Sequence, residues 1–73
     1  MKKVTGAQQR ILRSQLDILD VIPTDRARDL YHLIEVQLAQ PGAFPHHRAA
    51  ALIKNTQAYI DRVRLEAWKG LHT

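Results

Sequence analysis

The sequence predicts an all-α protein, a short helical bundle of three to four helices forming one domain over residues 1–73. Apolar residues recur at three- and four-residue steps in three segments, and Pro23, the Pro41-Gly42 pair and Pro45 separate those segments. No stretch shows the strict alternation of a half-buried strand, and no Asn-Gly or Asp-Gly dipeptide marks a hairpin turn.

The first helix is expected over about residues 5–21. Ile11, Leu12, Leu16, Ile18, Leu19 and then Ile22 recur as a helix buried along a broad stripe requires. Pro23 stops it, because a proline pushes the preceding residue out of the helical region. The second helix, about 24–40, opens with Thr24 as N-cap and Asp25 in the first turn, where a carboxylate meets the positive end of the helix dipole. Ala27, Leu30, Tyr31, Ile34 and Leu38 share one face, and Pro41-Gly42 closes the segment.

The third segment, about 46–70, follows Pro45, a residue suited to the first helical position. Ala49, Ile53, Thr56, Ile60, Val63, Ala67 and Leu71 make a near-heptad seam with one polar member. Unbroken, this helix is about 38 Å long, against about 25 Å for each of the first two. Two short helices do not cover so long a seam, so a continuous third helix implies a partner chain or an exposed end. The alternative is a break at 54–56, where Asn55 tolerates a left-handed conformation and Thr56 is able to cap a following helix.

With 45% hydrophobic and 25% charged residues and no Cys, the chain has the make-up of a folded domain without disulfides. A core in a chain of this size supplies roughly 3–5 kcal/mol, which makes a homodimer the expected source of further stability. The longest apolar run, Ala49 to Ile53, is far short of the ~18–20 residues of a membrane span. The opening MKKVTGAQQR has no apolar region after its lysines, so a cytoplasmic protein without membrane contact is expected.

The net charge of +4 is unevenly spread. Residues 1–13 carry Lys2, Lys3, Arg10 and Arg13 and no acid. Residues 14–44 set Asp17, Asp20, Asp25, Asp29 and Glu35 against Arg26 and Arg28, and residues 45–73 set Arg48, Lys54, Arg62, Arg64 and Lys69 against Asp61 and Glu66. Basic ends around an acidic middle suit a phosphate-rich partner, and equally allow the middle of one chain to face an end of another.

Read with the break at 54–56, the stretch HRAAALIKNTQAYIDRVRLEA, about residues 47–67, resembles the helix-turn-helix of phage repressors and similar bacterial regulators. Ala49 and Ala50 stand where the family has small residues at the helix crossing, Thr56-Gln57 where the recognition helix opens, and Ile60 and Val63 where it is anchored. Lys54 and Asn55 replace the usual turn glycine and the apolar residue after it. The resemblance implies a regulator of transcription that binds double-stranded DNA. Gln57 would read an adenine edge, with Thr56 and Arg62 near bases or backbone, and Arg48, Lys54, Arg64 and Lys69 would hold phosphates.

Catalysis is not expected. Ser14 is the only serine, there is no Cys, and Gly6, Gly42 and Gly70 stand apart instead of forming a phosphate loop, so neither catalytic residues nor cofactors are assigned. No metal site is assigned either. Asp29, His32 and Glu35 drift around their helix and read as a solvated face, while His46 and His47 point about 100° apart. Leu33, Val36, Leu65, Trp68 and Leu71 form a second apolar population off the main stripes, suited to an interface. The alternative function is therefore an adaptor or inhibitor, of the sort phages and plasmids encode, docking on a host protein through a helical apolar surface. RNA binding by a helical hairpin dimer is a third reading.

Overall fold

Thr5 opens the first helix with a reciprocal cap: its hydroxyl accepts from the Gln8 backbone N–H (3.1 Å) while Gln8 Oε1 accepts from the Thr5 N–H (3.0 Å). In the computed structural model, which describes residues 3–72, helix α1 then spans Gly6–Asp20, α2 spans Asp25–Ala39 and α3 spans His46–His72. Lys2, part of the basic N-terminal run, lies outside the described residues. Thr24 caps α2 as expected, accepting from the Ala27 N–H at 3.1 Å, with Asp25 in the first turn. A single 3-10 turn, Pro41–Ala43, follows α2. Pro45 stands just before α3, where its carbonyl accepts from the Arg48 N–H and its backbone bridges to Lys3.

The third segment is one helix of 27 residues. Residues 54–56 lie inside it without a turn, so of the two readings open for this segment the continuous helix holds and the break does not. The physical reason lies in what a straight helix buries: Ala49, Leu52, Thr56 and Ile60 stay on one packed side through the proposed break.

Helix α1 is the middle of the molecule. Both α2 and α3 pack on it, whereas α2 and α3 touch each other only lightly. Gln8 Nε2 donates to the His46 carbonyl and Gln15 Nε2 to the Ile53 carbonyl, each at 3.0 Å and each across 38 residues. This constant offset means that α1 and α3 run parallel, with α2 returning between them in sequence. The core is Leu12 and Leu19 from α1, Ala27, Leu30 and Ile34 from α2, and Leu52 and Ile60 from α3.

The same register places the end of α1, Asp20, level with Ala58. The start of α2 is level with Tyr59, whose hydroxyl hydrogen-bonds Thr24 Oγ1. Beyond Ile60 only α3 continues, for about 18 Å over residues 61–72. The molecule is accordingly a rod, 48 × 16 × 15 Å.

Candidate functional site

The residues expected to contact DNA do not share one surface. Thr56 is fully buried among the helices and presents nothing to a groove. Gln57 is half-buried and turned toward α1: its Oε1 accepts from Gln15 Nε2 (3.3 Å), and its Nε2 donates to Asp61 Oδ1 (2.9 Å). A recognition helix needs its first residues free at the end of a short rod, and here they sit in the middle of a long one, bonded to a neighbour. Arg48, Lys54, Arg62 and Lys69 are exposed and fall within an arc of about 120° on the side of α3 opposite Ile60. Arg64 is exposed on the flank of the packed side instead. Arg48 also lies over the Phe44 ring, 5.8 Å from its centroid, which ties that guanidinium to the start of α3.

The apolar candidates are all exposed, but they form two patches. Leu33 and Val36 are on the side of α2 away from Ala27 and Ile34. Leu65, Trp68 and Leu71 are on the extension of α3, at the opposite end of the rod from the α2 terminus. Along the axis the two patches are about 20 Å or more apart.

The extension is the more unusual feature. On α3, Ile60, Val63, Ala67 and Leu71 lie on one side, the side that α1 covers lower down. Ile60 is fully buried, Val63 half-buried, Ala67 exposed and Leu71 82% exposed. A stripe patterned as core thus runs off the end of the bundle into solvent. Trp68, 57% exposed, widens it on one flank, whereas Leu65, 52% exposed, is on the opposite side of the helix, among the cations.

At the foot of the extension, the turn joining α1 to α2 presents Val21, 76% exposed, and a cleft of about 310 Å³ whose walls include Leu19, Asp20, Ile22, Pro23, Arg28 and Tyr31. Around it Asp17, Asp20, Asp25 and Asp29 are set against Arg26 and Arg28. Sequence reasoning missed this turn as part of a site, although the two apolar residues before Pro23 and the acids around them were visible.

Among the described residues no three His, Cys, Asp or Glu side chains converge as a metal site would require. Asp29, His32 and Glu35 are exposed on successive flanks of α2. Among the described residues no helix is long and apolar enough to cross a membrane. Comparison with protein-family models, curated proteins and solved structures returns no match to this chain.

Proposed function

We propose that this chain is a non-enzymatic binding module that docks on another polypeptide, in an adaptor or inhibitor role, through the apolar stripe of α3 beyond Ile60. The observation that carries this reading is the run from buried Ile60 through half-buried Val63 to exposed Ala67 and Leu71 on one face of one helix. An apolar helix face of this kind gains stability when a complementary helix or groove removes it from water. The DNA-regulator reading keeps the exposed cations Arg48, Lys54, Arg62 and Lys69 as support, but the uninterrupted helix through 54–56 lacks the turn that its motif requires.

A photo-crosslinking amino acid at Trp68, beside Leu71 on the flank of the stripe, tests the reading in cells. The expected adduct resists nuclease and contains a second polypeptide. An adduct digested by nuclease would overturn the reading in favour of nucleic acid, and the absence of any adduct would overturn it as well.

A further inference from the structure

We propose that the side of α3 facing away from the bundle binds the major groove of duplex DNA, and that Arg26 of α2 joins it there. This surface is opposite the apolar stripe, so it stands or falls independently of the docking reading.

Its charge is one-sided. Arg48 and Lys54 mark the two edges of the exposed arc of α3, and Arg62 and Lys69 lie near its middle. The row covers about 32 Å of straight helix, with axial steps of roughly 9–12 Å between cations. A fifth cation comes from another helix: Arg26 and Arg62 line one cleft together with Ala58 and Tyr59, and no acid is among its walls. Of the neighbouring acids only Glu66 lies within the arc, at its edge. Asp61 is just outside it, where its carboxylate accepts from Gln57 Nε2 at 2.9 Å. Asp25 and Asp29 sit further round α2 than Arg26, away from the core and from α3. So long a row outruns a single phosphate group and suits a polyanion.

Shape selects duplex DNA. A helix with its side chains is about 10–12 Å across, and the major groove of B-form DNA is roughly 12 Å wide. Helices α1 and α2 pack on the other side of α3, and Ala51 and Ala58, between the cations, are small, so the outer face enters unobstructed. The approach is sideways along the middle of α3, so no turn before Thr56 is required. Arg26 and Arg48 then reach the phosphates of one strand and Lys54 those of the other. Exposed Asn55 and Arg62, between those flanks, are left toward the base edges, where such side chains pair with adenine and guanine. Duplex RNA fits less well, because its major groove is deep and narrow. Single strands lack a stacking platform, since neither Trp, Tyr nor Phe falls within the arc.

Fluorescence anisotropy with a labelled mixed-sequence DNA duplex of about 20 base pairs tests this. Affinity should fall with salt at a log–log slope of about −3 to −4, as phosphate contacts from Arg26, Arg48, Lys54 and Lys69 require. Arg26→Ala and Arg62→Ala, both at exposed positions, should each weaken binding about fivefold or more with the thermal melt unchanged. Arg64→Ala removes the same charge from the stripe side of α3 and should leave affinity within about twofold. Equal losses at Arg26, Arg62 and Arg64 would reduce the effect to net charge and overturn the proposal. So would a lack of binding at about 0.5 mM protein in about 20 mM salt, or equal affinity for duplex RNA or single-stranded DNA of the same length.

Discussion

Gln15, on α1, donates its side-chain amide to the backbone carbonyl of Ile53 at 3.0 Å, near the middle of α3 and one residue before the stretch where local signals favour a break. Gln15 is 2% exposed and Thr56 not exposed at all, so two polar residues lie in the contact between α1 and α3. Gln15 Oε1 and Thr56 Oγ1 are buried with no hydrogen-bond partner. Buried polar atoms of this kind cost stability.

Thr56→Val should therefore stabilise the protein by about 1 kcal/mol, because it keeps the branched shape and removes a buried hydroxyl. For a domain of this size that is roughly a 4–8 °C rise in melting temperature, read by circular dichroism. A lower melting temperature would show that the hydroxyl is satisfied in solution.

Asn55 is exposed in the interior of α3, where alanine is a better helix former. Asn55→Ala should raise stability by about 0.5 kcal/mol in a denaturant titration. If residues 54–56 formed a turn, the same change would lower it, so the sign of the effect reports on the continuity of the helix.

Thr24 Oγ1 caps α2 and also bonds the Tyr59 hydroxyl, fastening the start of α2 to α3. Thr24→Ala should cost about 1–2 kcal/mol, and Tyr59→Phe about 0.5–1.5 kcal/mol. The double variant should lose less than the two single effects together, since both remove the same bond. Strict additivity would mean that the hydroxyls do not interact.

Ile60 is fully buried, and Leu71, on the same side of α3 three turns later, is 82% exposed. Ile60→Ala should cost about 2–5 kcal/mol, comparable to the whole stability of so small a domain, and leave it largely unfolded at room temperature. Leu71→Ala should leave the thermal melt nearly unchanged. Equal losses at the two positions would show that the bundle extends further along α3 than Ile60.

Much of the fold was legible in the residues themselves. Pro23 and Pro41 divide the first two helices where the backbone changes course, Thr24 caps α2, and Ala27, Leu30 and Ile34 form its buried face, because caps, breakers and helical spacing act within a few residues. The burial of Gln15 had a signal, since it falls between Leu12 and Leu19 in the same stripe, but its polarity concealed it. The site was less legible. Thr56 and Gln57 open a recognition helix only if the chain turns before them, and Leu33 and Val36 join Leu65 and Leu71 only if their helices bring them together; neither condition is met.

Sequence alone determined that this chain forms helices, where they are punctuated, and that the third carries more apolar seam than the first two are able to cover. Tertiary structure decided that the third helix runs straight, that Thr56 is core, and that the uncovered seam emerges beside the turn joining α1 to α2. Helical spacing is a property of neighbouring residues, whereas continuity and exposure depend on what lies alongside. The parallel register of α1 against α3 settles where that cover ends.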